Sequence, residues 1–227
     1  MARKAFGTWF RFSIIALTFT LVLAVIIVIF RGIEPEYEGL SLTKWLDRTE
    51  AVYARCSDPE HPELDSEWRE CQAAVKAMGK KAVPFLIAWT TAKDSDTKIR
   101  AIRWLNRHPV FHVEIYPDPA MRKHILAMHG FHLLGKEAAP VLPELVRMTS
   151  DKDRDRRFWG YVALASTQPD KETLVPVVAR LLKDSDSEIK RMAAETIFGF
   201  YPDEAKELGV CDLFPEICSM NGLVHTR

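Results

Sequence analysis

The sequence predicts an all-α protein in which one transmembrane helix precedes a short α-solenoid of stacked helix pairs. Three observations support this prediction: a long uncharged apolar run near the amino terminus, internal repeats in the remainder, and apolar residues at helical spacing. Strand signals are weak, because no alternating run of Val, Ile and Thr is bounded by a hairpin dipeptide. We therefore divide the chain into a cytoplasmic tail (1–11), a transmembrane helix (12–31), a linker (32–40) and a repeat domain (41–227).

The predicted transmembrane helix contains the uncharged run FSIIALTFTLVLAVIIVIF, which extends from Phe12 to Phe30. At 1.5 Å per residue it would span roughly 28 Å, close to the hydrocarbon thickness of a bilayer. A cleaved signal peptide is the alternative, but its apolar core usually has about 7–15 residues and ends at small residues. Because this run ends at Phe30 and Arg31 without small residues, we expect an uncleaved anchor.

The basic residues around this run predict its orientation. Three of them, Arg3, Lys4 and Arg11, precede the run, and only Arg31 follows it closely. Basic residues favour the cytoplasmic side of a membrane. We expect a single-pass protein with a cytoplasmic amino terminus and an extracytoplasmic, periplasmic carboxy-terminal domain. The alternative is that so short a tail has little influence on orientation.

Two eight-residue segments repeat within the predicted domain. GKKAVPFL at 79–86 and GKEAAPVL at 135–142 share the pattern G-K-x-A-x-P-x-L, and KETLVPVV at 171–178 is a weaker copy without the glycine. The second and third prolines are separated by a repeat length typical of helix pairs. The first interval is longer because it contains an aromatic-rich insertion at 106–118, which includes the run VFHVEIY.

A second repeated unit, rich in Asp and Ser, follows each proline-led segment: KDSDTKIR at 93–100, DKDR at 151–154 and KDSDSEIK at 183–190. Such residues accept hydrogen bonds from the free amides at the start of a helix. Ser185 and Glu188 have the spacing of a capping box. Gly79 and Gly135 are suited to end a helix with a left-handed residue, and the prolines to the first turn of the next helix.

These repeats resemble those of bacterial HEAT-repeat proteins. The resemblance depends on AVKAMGKKAVPFLIAW, GFHLLGKEAAPVLPEL and KDSDSEIKRMAAETI, and it extends over residues 66–200. It implies a solenoid in which the second helix of each pair lines the inner curve. These motifs are informative about the fold but indicate almost nothing about function.

The sequence contains no motif that predicts catalysis. A Walker lysine, an H-E-x-x-H helix and a G-x-S-x-G elbow are all missing. Five histidines occur in a short stretch, but their spacing does not fit a zinc site. They are His108, His112, His124, His129 and His132. We therefore expect no catalytic residue, no metal and no cofactor.

The charge balance predicts the class of partner. The chain has 31 basic and 31 acidic residues, and every charged residue before Ile33 is basic, so the remainder is acidic overall. An acidic domain argues against nucleic acid as the partner. We expect a membrane-anchored protein–protein interaction scaffold. The alternative is a HEAT-like enzyme of the lyase type, or a small-ligand binder, that uses the concave face; a deep pocket with convergent polar groups would favour it.

Positions four and seven residues after each repeated proline are expected to point away from the core. The residues there are Ala88, Thr91, Glu144, Arg147, Arg180 and Lys183. We hypothesise that an acidic segment of a protein partner binds Arg147, Arg180 and Lys183, with Glu144 in the same column. A solvated face without a partner is the alternative, and the insertion from Val110 to Tyr116 is the next candidate for binding.

The four cysteines, Cys56, Cys71, Cys211 and Cys218, fall into two close pairs. In an oxidising compartment such cysteines are expected to form disulfides. We predict the bridges Cys56–Cys71 and Cys211–Cys218, because cross-pairing would need both ends of the stack to touch. Pro215 would break the helix between the second pair. Four free thiols are the alternative.

Overall fold

The computed structural model describes residues 33–55, 64–107 and 118–222. The predicted transmembrane helix, Cys56 and most of the insertion at 106–118 lie outside these residues. Among the helices that the structure describes, none is both long enough and apolar enough to cross a bilayer. The chain divides into two units, Met1–Pro35 and Glu36–Arg227, and the fold below is that of the second unit.

The second unit is mostly helical, which confirms the predicted all-α class. It begins with a two-stranded antiparallel hairpin of β1 (Glu36–Tyr37) and β2 (Leu40–Ser41), in which Tyr37 pairs with Leu40. The described helices are α1 (Leu42–Arg55), α2 (Leu64–Met78), α3 (Val83–Thr90), α4 (Asp96–Arg107), α5 (Pro119–Leu134), α6 (Leu142–Met148), α7 (Arg154–Ser166), α8 (Lys171–Leu181), α9 (Ser187–Phe200), α10 (Pro202–Glu207), α11 (Val210–Leu213) and α12 (Pro215–Gly222). Short 3-10 segments, Gly79–Lys81 and Gly135–Val141, precede α3 and α6.

Each proline-led helix packs mainly against a helix that follows its Asp-rich turn. Thus α3 packs against α5, α6 against α7, and α8 against α9. The sequence interpretation treated α3, α6 and α8 as the second helices of their pairs; their main contacts in the structure are with helices that follow them in the chain. Short turns join α6 to α7 and α8 to α9, so the apolar faces of these helices meet directly, whereas α4 lies between α3 and α5 in the chain.

The start of α9 corrects one predicted cap. The amides of Glu188 and Ile189 both donate to Asp186 Oδ1 at 3.0 Å, so Asp186 is the N-cap. The predicted capping box from Ser185 to Glu188 is therefore wrong. A carboxylate forms stronger bonds to the helix amides than a hydroxyl does, and Asp186 is one residue closer to them.

Side chains also connect consecutive turns to one another. Lys93 forms an ion pair with Asp153, which joins the first turn to the second. Arg157 then donates from Nε and Nη2 to the two oxygens of Asp184, each at 2.9 Å. The side chains of this second pair are largely buried. A buried, bidentate pair of this kind fixes the spacing between neighbouring hairpins.

The repeated glycines and prolines are only partly as predicted. Gly79 and Gly135 have positive φ values of 45° and 53°, but ψ of Gly135 is −126°, so its positive φ agrees with the prediction and its left-handed helical conformation does not. Pro84 lies in the first turn of α3. Pro140 lies within the 3-10 segment before α6. Pro176 was expected in or near a first turn; it lies inside α8, beyond the first turn, because α8 already begins at Lys171.

One continuous core joins these helices, and at Gly160 the backbones of two neighbouring helices approach closely. Gly160 of α7 contacts α6, and a Cβ there would lie 2.6 Å from Met148 Cβ and 3.3 Å from the Met148 carbonyl carbon. Alanine is normally the better helix former. At position 160 the close contact with α6, and not the helix propensity of the residue, determines that glycine fits.

We predict that Gly160→Ala lowers the free energy of unfolding by about 1–3 kcal/mol, because the added methyl overpacks the α6–α7 interface. Gly199→Ala is the matched control: Gly199 is also inside a helix, but a Cβ there meets nothing within 4 Å. This control should be neutral or stabilised by up to about 1 kcal/mol. Thermal unfolding of the full chain in detergent, followed by circular dichroism, measures both. Equal stability of the two variants would contradict the prediction.

Candidate functional site

The predicted charged column lies on the proline-led helices, and two of its three cations already have partners. Arg147 Nε and Nη2 donate to the two oxygens of Glu144 at 2.9 and 2.5 Å. Arg180 donates to the hydroxyl of the buried Thr149. Lys183 is exposed at the end of α8. The column of Glu144, Arg147, Arg180 and Lys183 remains a predicted site, in which Glu144 neutralises one of the cations.

A groove of about 470 Å³ is lined mainly by residues of α5, α7 and α9. Its apolar lining includes Val162 and Ala165 of α7 and Met192 and Phe200 of α9. The Phe200 side chain is 43% exposed. Gly199 beside it has open space where a side chain would be. We call these residues the apolar groove.

Three polar side chains that line the apolar groove already have hydrogen-bond partners. Ser166 Oγ donates to the carbonyl of Val162 at 2.7 Å, and Thr196 Oγ1 donates to the carbonyl of Met192 at 2.8 Å. Glu195 accepts from Arg191 Nε at 2.8 Å. The hydroxyl hydrogens of Ser166 and Thr196 therefore point toward the helix backbone and not toward a ligand.

Tyr161 lies beneath the groove and is fully buried. Its hydroxyl forms no hydrogen bond with any described residue, although the Thr196 hydroxyl is nearby. Burial raises the pKa of this phenol, so it stays protonated. Sequence reasoning did not single out this residue, because a tyrosine within a helix has no local signature.

An aromatic cluster continues from the groove toward α1 and α2. The Tyr53 ring lies 5.0 Å from Trp68 and 4.9 Å from His129, and Trp68 lies 5.5 Å from His132 (ring centroids). Because His132 also lines the apolar groove, the cluster and the groove form one continuous strip. We call it the aromatic–apolar strip.

The two histidines of this strip are neutral at neutral pH. Burial lowers the pKa of His129 to about 4, and the nearby His132 adds to this effect. Burial also lowers the pKa of His132. Helical spacing had indicated only that these two side chains share a face, and their packing against Tyr53 and Trp68 was not predicted. Within the described ranges, no group of three or more His, Cys, Asp or Glu residues could hold a metal ion.

The structure confirms one of the two predicted disulfide bridges and contradicts the other. Cys211 and Cys218 form a disulfide with a Cα–Cα separation of 5.6 Å, as predicted. Cys71 is a free, fully buried thiol, so the predicted Cys56–Cys71 bridge is wrong. Its side chain faces the core near the hydroxyl of Thr49, where burial raises the pKa of the thiol.

No protein-family model matches the chain, and comparison with curated proteins and with solved structures finds no significant similarity. The likeness to HEAT repeats therefore depends on the repeated motifs.

Proposed function

We propose that this chain is a membrane-anchored scaffold whose HEAT-like solenoid binds a segment of a partner protein along the aromatic–apolar strip. One observation carries the proposal: uncharged side chains run from Tyr53 and Trp68 through His132 to Met192 and Phe200. This strip crosses helices that are far apart in sequence. Apolar surface that extends over several elements is typical of protein–protein interaction sites.

The occupant that fits best is the apolar face of an amphipathic helix. A groove lined by several helices can accept apolar side chains spaced one helical turn apart. The hydroxyls of Ser166 and Thr196 are bonded to their own helices and Tyr161 is fully buried, so a small substrate would find few groups to orient it. This disfavours the lyase-type enzyme or small-ligand binder as the function. Met192, which is flexible, can adapt to different apolar side chains.

The proposed location remains the extracytoplasmic side of a membrane, with the helix at 12–31 as the anchor. The uncharged run and the basic tail support this proposal. The Cys211–Cys218 disulfide is consistent with an oxidising compartment. An anchored scaffold would keep its partner close to the membrane surface.

Site-specific photocross-linking in intact membranes tests the proposal. A photoreactive phenylalanine at Phe200 should give discrete adducts with a partner protein, whereas the same residue at the exposed Leu213, outside the groove lining, should not. Met192→Glu should abolish the Phe200 adducts, because it places a charge in the apolar groove.

The same experiment also tests the charged column as the alternative binding site. Reversal of Arg147 and Arg180 to Glu should leave the Phe200 adducts unchanged, and circular dichroism should show that every variant is folded. Adducts that persist in Met192→Glu would contradict the groove as the site. Adducts that disappear only after the charge reversal would instead support an acidic partner on Arg147, Arg180 and Lys183.

A further inference from the structure

A second cleft, also of about 470 Å³, lies where α5, α7 and α9 begin, beside the Asp-rich turns. Four carboxylates line this cleft, and only two basic side chains do. The carboxylates are Asp94, Asp118, Asp155 and Glu188, and the basic residues are Lys93 and Arg154. No residue of this cleft lines the apolar groove, so the two are separate sites.

Both basic side chains of the cleft are already paired. Lys93 binds Asp153 outside the cleft. Arg154 binds Asp155, Asp186 and Glu188 at once, and its guanidinium lies 4.9 Å from the centre of the Phe158 ring. Arg154 thus illustrates how this lining holds a guanidinium: between carboxylates and over an aromatic face.

Two carboxylates of the cleft can still accept hydrogen bonds after these ion pairs are formed. Asp155 and Glu188 each keep 64% of their side-chain surface exposed. Each contacts Arg154 through one carboxylate oxygen only. A carboxylate can accept about four hydrogen bonds, so both can bind a further donor.

The inner wall of the cleft contains an unpaired acceptor. The His124 ring stacks on Trp159, with centroids 4.3 Å apart and planes 12° apart, and the residue is only 7% exposed. Its Nδ1 has no hydrogen-bond partner among the described residues. The ring also hydrogen-bonds the backbone of Trp89, and burial keeps it neutral. In a neutral imidazole with one nitrogen donating, the other is an acceptor. This acceptor is buried within the wall of the cleft, so it adds partial negative charge to the wall without itself contacting the cation.

We infer that this cleft binds the cationic head group of a lysine or arginine side chain that a partner protein presents. Such a head group supplies N–H donors and positive charge to carboxylates that outnumber the two paired cations of the lining, and its aliphatic stem suits Phe158 and Trp159. The excess of carboxylates would repel an anion. This site is independent of the proposed function, because it uses none of the residues of the aromatic–apolar strip.

The two sites have separate methionine reporters. Met121 lines the cleft and is 40% exposed, whereas Met192 lines the apolar groove. The full chain in detergent, labelled with ¹³C at the methionine methyls, is titrated with N-acetyl-lysine amide and N-acetyl-arginine amide. The two signals are assigned through Met121→Leu and Met192→Leu. We expect a saturable shift of Met121 that weakens with salt, and no shift of Met192.

Two comparisons decide the outcome. N-acetyl-norleucine amide has a similar stem without the charge, and it should not shift Met121. Asp155→Asn should weaken lysine binding about threefold, as expected for an exposed ion pair. Asp203→Asn, which changes a carboxylate that is 89% exposed and outside the cleft, should leave binding unchanged.

Three results would overturn the inference: no Met121 shift with either cation, an equal shift with norleucine amide, or unchanged binding in Asp155→Asn. A shift produced equally by ammonium or guanidinium chloride would also overturn it, because a general ion effect would then explain the response.

Discussion

The full chain is expected to lose about 2 kcal/mol of its free energy of unfolding between pH 7 and pH 5 through His129 alone. The folded protein holds His129 neutral, with a pKa of about 4, whereas the unfolded chain takes up a proton near pH 6.5. The unfolded state therefore binds more protons within this window. The stability is fully present above about pH 6.5 and is lost as the pH falls toward 4. Burial lowers the pKa of His124 and His132 as well, so both act in the same direction.

His129→Phe separates this effect from general acid denaturation. Phenylalanine keeps a ring stacked near Tyr53 but cannot be protonated. Thermal unfolding of both proteins at several pH values between 7 and 5 should give a clearly smaller slope for the variant. This range avoids most carboxylate titration, because the pKa values of Asp94, Asp184 and Asp186 are lowered. If both proteins show the same slope, His129 is not held neutral in the folded state.

Removal of the disulfide is expected to lower the free energy of unfolding by about as much as the protonation effect of His129 does. Replacement of Cys211 and Cys218 by Ser should lower the free energy of unfolding by about 2.5 kcal/mol, because the bridge closes a short loop in the unfolded chain. The bridge joins α11 to α12, and α12 packs against α9 through residues that include the buried Ile217. The variant should therefore be cleaved first near α12 in limited proteolysis.

The controls for the disulfide use the same chain. A reductant should destabilise the wild type to the level of the double serine variant and leave that variant unchanged. Cys71→Ala should not remove the response to the reductant, because Cys71 is a free thiol. In native membranes, Cys211 and Cys218 should resist alkylation until they are reduced. Immediate alkylation of both would contradict the bridge and the proposed oxidising compartment together.

Local signals in the sequence determined a large part of this structure. The apolar stripe at Cys71, Ala74, Val75 and Met78 is buried along one face of α2, as its spacing predicts. Asp118 caps α5, since its side chain accepts from the Met121 amide at 3.0 Å. These features depend on residues within about two helical turns of one another. The interactions that produce these features lie within a short segment of the chain, so composition and spacing are sufficient to predict them.

Only the tertiary structure decided which helices pack against each other and which buried groups and surfaces this packing forms. The choice of α7 as the partner of α6, the burial of Cys71 away from any bridge, and the neutral state of His129 all depend on residues distant in sequence. The aromatic–apolar strip is likewise assembled from several helices. A periodic pattern indicates that a face is buried, but not which neighbour buries it, because many apolar faces are energetically similar partners until their side chains are packed together.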